Sequence, residues 1–166
     1  MLNHILIPLD GSPLAEEALP YARMILNPGG RVTLVTAVDL SGLLAYDVYP
    51  MMGVRVENPD GQPIYGTEKL ASQARSYAQE IARQLNGFDV RLVVEVGEPS
   101  DLIVKSAHDL KADAIVMSTH GRNGISRWLL GSVTQRVLSA APCPVFVVPN
   151  SHRKPVEAQD KALSHA

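Results

Sequence analysis

The run His4-Ile5-Leu6-Ile7-Pro8-Leu9 is apolar almost throughout and does not alternate with polar residues. A strand with that pattern needs cover on both faces, which is the situation in a parallel sheet clothed by helices. Further short strand-like runs lie at 32–38, 90–96, 114–117 and 145–148. Between them, apolar residues recur at helical steps. Leu14, Ala18, Tyr21, Ala22 and Ile25 form one such face, and Leu70, Ala74, Tyr77, Ala78, Ile81 and Leu85 the clearest. Leu102, Ile103, Ala107 and Leu110 form a third, and Val133, Val137 and Ala141 a fourth. Strands alternating with helices predict an α/β domain: a five-stranded parallel sheet with helices on both faces. A length of 166 residues suits one domain, and 46% hydrophobic content fills its core. Aromatics make up 5%, so that core must be aliphatic.

Local punctuation sets the expected boundaries. Ser12 is placed to cap the first helix, with Pro13 in its first turn. Pro20 should bend that helix, because it lacks an N–H and crowds the carbonyl four residues back. Asn27-Pro28-Gly29-Gly30 reads as its end. Thr67 is placed to cap the next helix, Gly87 to stop it, and Pro99 to open the one after. Residues 39–66 show no clean period and carry Pro50, Pro59, Pro63 and four glycines. They read as a long surface excursion with a short helix at its start, a kind of loop that is often functional. The expected domain is 1–149, followed by a disordered tail over 150–166.

Several function classes are disfavoured. A net charge of −2 argues against a general nucleic-acid binder. Cys143 is the sole cysteine, so there is no intrachain disulfide or zinc cluster; between two prolines it reads as a small buried hydrophobe. No run of about 18 apolar residues predicts a membrane span. The start MLNHILIPLDGS lacks the charged and long apolar regions of a signal peptide, so a cytoplasmic location is expected. No Cys–His or Ser–His pairing, HExxH or CxxC marks a catalytic centre. His4 and His108 read as surface or sheet-end residues, and Trp128 as a packing or interface residue.

Parallel sheets of this kind bind ligands at the carboxyl ends of their strands, where strand order reverses. The ends of the first and fourth strands are therefore the places to look. After the fourth come Gly121, Gly124 and then Gly131-Ser132 just before a helix. Glycines let backbone approach a ligand, and the first N–H groups of a helix attract an anion. Arg122 and Arg127 are charge partners for a phosphate. The structural alternative stands beside this: Ser132 as a plain N-cap and the glycines as turn residues. The P-loop Gly-Lys-Ser/Thr and the dinucleotide Gly-x-Gly-x-x-Gly are both absent.

The chain resembles the universal stress protein family over residues 2–149. Ile5 to Ser12, Gly97-Glu98-Pro99, Ser118 to Arg122 with Leu129 to Val133, and Pro142-Cys143-Pro144-Val145 carry the likeness. The resemblance implies a Rossmann-like, adenine nucleotide alpha-hydrolase-like sheet in the order 3-2-1-4-5. ATP-binding members of that family share Gly-x-x-Gly, nine residues, then Gly-Ser/Thr. Here the second glycine is Gly121, the nine residues run from Arg122 to Leu130, and the pair is Gly131-Ser132; the first glycine is replaced by Ser118.

The resemblance further implies an adenine nucleotide, ATP first and ADP or AMP after it, with Mg2+ carried by the nucleotide. Pro8, Leu9 and Asp10 match positions near adenine and ribose, and Ala37 and Val38 the adenine wall. Met117 and Ser118 open the loop; His120, Gly121, Arg122 and Gly124 continue it; Gly131, Ser132, Val133 and Thr134 match the phosphate cradle. Asp10 has an alternative role bracing the first turn, and His120 one in orienting the loop. The family pairs through its last strand, so Val145, Phe146, Val147 and Val148 are the expected homodimer interface. The expected role is a stress-response signalling module that meets a further protein partner; slow ATP hydrolysis is compatible with it, dedicated catalysis is not expected. Two competing readings remain: a dimeric interaction module in which Ser118 has ended nucleotide binding, and an enzyme related to ATP pyrophosphatases or electron-transfer flavoproteins. The last lacks its pyrophosphate loop after strand one.

Overall fold

The computed structural model describes residues 1–39, 55–57, 63–65, 67–118 and 130–149. A five-stranded parallel sheet is built from β1 (Leu2–Pro8), β2 (Leu26–Val38), β5 (Asp89–Val96), β6 (Ala114–Ser118) and β7 (Val145–Val148). Their order is β5-β2-β1-β6-β7, the expected 3-2-1-4-5. Order reverses between β1 and β6. The crossovers are helical: α1 (Pro13–Glu16) and α2 (Ala18–Ile25), α3 (Thr67–Gln84), α4 (Pro99–Asp109) and α5 (Ser132–Ala140).

The central strands β1, β2 and β6 are buried on both faces. Ile5, Ile7, Val32, Leu34 and Val116 pack with Ala18, Ala22, Ile81 and Leu85 on the side of α1, α2 and α3. Leu6, Val35, Ile115 and Met117 pack with Leu102, Ile103, Ala107 and Val137 on the side of α4 and α5. Each of the larger side chains among them, Val, Leu, Ile and Met, contributes about 1.5–3 kcal/mol by leaving water. The core is aliphatic, as composition required.

Three boundaries differ from the sequence reading. The first helix is divided at Glu17 rather than bent at Pro20. Pro20 crowds the carbonyl four residues earlier, that of Glu16, so the interruption falls on that side of the ring. In α2 itself Pro20 occupies the third position, where no helical N–H bond is required. Second, β2 begins at Leu26, six residues before the expected start, and takes in the Asn27-Pro28-Gly29-Gly30 segment. Leu2 pairs with Leu26 and His4 with Arg31, so an irregularity absorbs the extra residues. Gly30 permits this: a Cβ there would sit 2.8 Å from Leu26 Cγ and 2.9 Å from the Asn27 carbonyl oxygen. Third, β3 (Arg55–Glu57) and β4 (Pro63–Tyr65) form a small antiparallel pair inside the 39–66 excursion. Strands of three residues are too short to reveal a period. The expected short helix at the start of the excursion and the expected disordered tail lie outside the described residues.

Candidate functional site

The carboxyl ends of β1, β2 and β6 meet the starts of α3, α4 and α5 around a cavity of about 720 Å³. Its first wall is the turn after β1, with Pro8, Leu9 and Asp10. Asp10 Oδ1 accepts from Ser12 N–H at 2.9 Å and from Ser12 Oγ at 2.6 Å. Ser12 Oγ in turn accepts from Ala15 N–H at 3.2 Å and caps α1. Gly11 sits between them at φ +82°, a conformation that favours glycine. Asp10 therefore braces the turn, the alternative role that the sequence offered, and also lines the cavity.

The second wall is the end of β2, including Ala37 and Val38. Gly97 N–H donates to Val38 O at 3.2 Å and ties this end to the turn after β5. The third wall joins Met117 and Ser118 at the end of β6 to Gly131, Ser132, Val133 and Thr134 at the start of α5. Thr134 Oγ1 donates to Ser118 O at 3.3 Å, clamping helix start to strand end. Ser118 closes the pairing of β6 with β7 opposite Val148. Among the described residues Lys111 is the non-glycine with positive φ, so serine at 118 carries no backbone strain.

The start of α5 differs from the expectation in detail. Its N-cap is Gly131, at φ −58° and ψ 153°, which has no side chain to cap with; Ser132 is the first helical residue. The first intrahelical bond is Gln135 N–H to Gly131 O at 2.9 Å. The N–H groups of Ser132 and Val133 therefore have no acceptor within the helix and sit at the positive end of its dipole. Nearby α4 is closed instead: Glu98 Oε2 accepts from Asp101 N–H at 2.9 Å and from Ser100 Oγ, and Oε1 from Arg136 Nη1 at 3.1 Å. Partial desolvation pushes the Glu98 carboxyl up, but those hydrogen bonds and the Arg136 charge outweigh it, leaving its pKa below the ordinary value.

A fourth wall was not foreseen. Leu70, Gln73, Ala74 and Tyr77 of α3 line the cavity together with Thr36 of β2. The whole 70–85 stripe reads as core in the sequence, yet only its later part (Ala78, Ile81, Leu85) is fully buried. The signal was present in the topology: a crossover helix starts at the carboxyl rim, so its first turns face the ligand crevice. The Tyr77 hydroxyl donates to Glu16 Oε1 at 3.0 Å, and burial first, then that carboxylate, push its pKa well up.

Of the remaining candidates, His120, Gly121, Arg122 and Gly124 lie outside the described residues, as do Arg127 and Trp128. Val145, Phe146, Val147 and Val148 form the edge strand β7, with Phe146 45% exposed. His4 is at the amino end of the sheet, its Nε2 2.8 Å from Thr33 Oγ1. His108 is exposed beside Asp109. Cys143 packs against the α4–α5 side of the core, and burial raises its thiol pKa. A wider groove of about 900 Å³ runs between α4 and α5, but it borders no strand end and is lined by exposed charges such as Lys105, Asp109 and Arg136.

A model of the universal stress protein family matches residues 1–149. The chain belongs to that family. A universal stress protein of Staphylococcus aureus (strain USA300) is 31% identical over 148 residues, 88% of this chain and 83% of that protein. The solved structure of hypothetical protein MJ0577 is similar at a TM-score of 0.75 and 29% identity, over 92% of this chain and 99% of that one. A universal stress protein in complex with cAMP shares the fold at a TM-score of 0.53 and 22% identity, covering 90% and 98% of the two chains. No helix among the described residues is long and apolar enough to cross a membrane.

Proposed function

We propose that this universal stress protein binds an adenine nucleotide, ATP first among them, at the cavity on the carboxyl rim and acts as a homodimeric signalling module. The supporting observation is that one cavity joins a slot walled by Pro8, Ala37, Val38 and Met117 to the uncapped start of α5. The slot suits a flat base, the Asp10 carboxylate a sugar hydroxyl, and the α5 amides an anion. A relative in fold is solved with cAMP, a ligand of the same chemistry. Mg2+ would arrive on the phosphates. The exposed edge of β7, with Phe146, is the face for a second copy.

Isothermal titration with ATP, ADP and AMP in the presence of Mg2+ tests the ligand. Saturable micromolar binding that Gly131→Val abolishes, with the melting midpoint kept, is the expected result. If the wild type binds none and Ser118→Gly gains binding, the interaction-module reading replaces this one. Light scattering of wild type and Phe146→Glu tests the pairing; a wild-type monomer would remove it.

A further inference from the structure

Thr36 is 5% exposed, and its Oγ1 has no hydrogen-bond partner. Among the described residues no other buried side-chain polar atom is left in that condition. Such a group is a standing cost to a fold, and the rest of this fold avoids it. Buried Ser12 pairs with Asp10, Ser100 with Glu98, Thr33 with His4 and Thr134 with Ser118. The exception lines the cavity.

Its place follows from strand alternation. Val32 and Leu34 face the core beneath α3, and Thr36 is the next residue outward on that face. It lies level with the first turns of α3. Of the α3 residues on this wall, Leu70 and Ala74 offer no polar side-chain atom, the Tyr77 hydroxyl is already committed to Glu16, and Gln73 is exposed and makes no bond to Thr36 Oγ1. A hydroxyl both donates and accepts, and rotation about χ1 moves it between staggered positions without disturbing the strand. In its present rotamer Oγ1 is closed off from the cavity; that rotation turns it toward a ligand heteroatom entering this wall, which supplies the partner that the protein withholds.

We infer that Thr36 is a specificity-determining residue, hydrogen bonding to a polar edge of the bound heterocycle on the α3 side of the cavity. This rests on the nucleotide reading above and adds to it the atom that distinguishes one base edge from another. A Thr36→Val variant keeps the shape and removes the hydroxyl.

The test is calorimetric titration of wild type and Thr36→Val with AMP and with its 1-deaza, 3-deaza, 7-deaza and 6-desamino analogues. Monophosphates keep the phosphate contribution constant. The variant is expected to bind AMP about fivefold more weakly, the effect of one neutral hydrogen bond. One analogue should bind the wild type with a similar loss and show no further loss on the variant. The ligand-free melting midpoint of the variant should equal or exceed that of the wild type. Equal AMP affinity for both proteins would overturn the inference, and so would a lowered midpoint, which means the hydroxyl is paired within the protein. A wild type that binds no nucleotide removes the parent reading as well, a result distinct from either.

Discussion

Thr33 and Thr36 lie three residues apart on β2, both buried, and the protein treats them in opposite ways. Thr33, toward the amino end of the sheet, is paired with the His4 ring at 2.8 Å. Thr36, at the carboxyl end, has no partner. The surroundings repeat the contrast. At the amino end Asp113 Oδ2 accepts from the N–H groups of Asn3 at 2.7 Å and His4 at 2.9 Å. At the carboxyl end α5 starts without a side-chain cap. The amino end is sealed at these positions by its own side chains, whereas the carboxyl end, beside pairs such as Asp10–Ser12 and Thr134–Ser118, leaves the Thr36 hydroxyl in reserve. The difference teaches where binding energy can come from, because a group satisfied within the fold has little left to give a ligand.

The strongest way to break the contrast is to seal the open end. Gly131 has negative φ, so Gly131→Asp fits the backbone and offers the cap that α5 lacks. It also puts a carboxylate where the phosphates are proposed to sit. Nucleotide affinity is expected to fall about a hundredfold, since like charges brought together at a binding site cost several kcal/mol. The melting midpoint should hold or rise slightly. Titration and thermal denaturation on the same sample check both halves; loss of stability together with binding would deny that the open cap is a functional reserve.

The reverse experiment opens the sealed end. Thr33→Val leaves the His4 ring without its partner and is expected to cost about 1–2 kcal/mol in urea unfolding, the penalty for an orphaned, partly buried polar group. Nucleotide affinity should not change. A cost no greater than that of Thr36→Val would erase the distinction between the two threonines.

A smaller effect is expected where the contrast runs within the carboxyl rim itself, between α4 and α5. Glu98→Ala uncaps α4 and should destabilise by about 1 kcal/mol, the usual worth of an N-cap. Because the Glu98 pKa is lowered in the folded state, its contribution is present above the ordinary carboxylate value and lost as pH falls through the folded one. Urea midpoints at neutral pH and below pH 4.5 check this: the gap between wild type and variant should narrow in acid.

The same division explains what the sequence could tell. Non-alternating strands such as 4–9 announce a sheet covered on both faces, because burial on each side demands it. The strand order came from resemblance, since alternation alone leaves several orders open. The residues Pro8, Asp10 and Gly131 were legible as rim positions because strand ends and helix starts carry marked residue types, whereas Thr134 came from the resemblance. Leu70, Ala74 and Tyr77 were not, because an apolar residue lining a crevice has the same spacing as one in the core. What separates them is height along α3 relative to the sheet, a tertiary quantity. The early start of β2 was hidden by Pro28, Gly29 and Gly30, which read as a helix end. Only pairing with β1 shows that the chain is already extended there.

The slightest expected effect comes from titrating the sealed end. His4 is half-buried, and burial first and then Arg31 and Arg91 lower its pKa; the backbone contact at Leu110 and the Asp113 carboxylate oppose them. The folded protein thus holds fewer protons on His4 than the unfolded chain once pH falls below about 6.5. Stability should be flat above that value and decline below it. Asp113 adds a separate loss in stronger acid, because backbone N–H bonds from Asn3 and His4 hold its pKa below 3.8. Urea midpoints measured from pH 8 to pH 3 should therefore show two descents. His4→Gln should remove the upper one and leave the lower. A single descent unaffected by that substitution would mean the His4–Thr33 pair does not seal the amino end, and the contrast between the two threonines would have to rest on Thr36 alone.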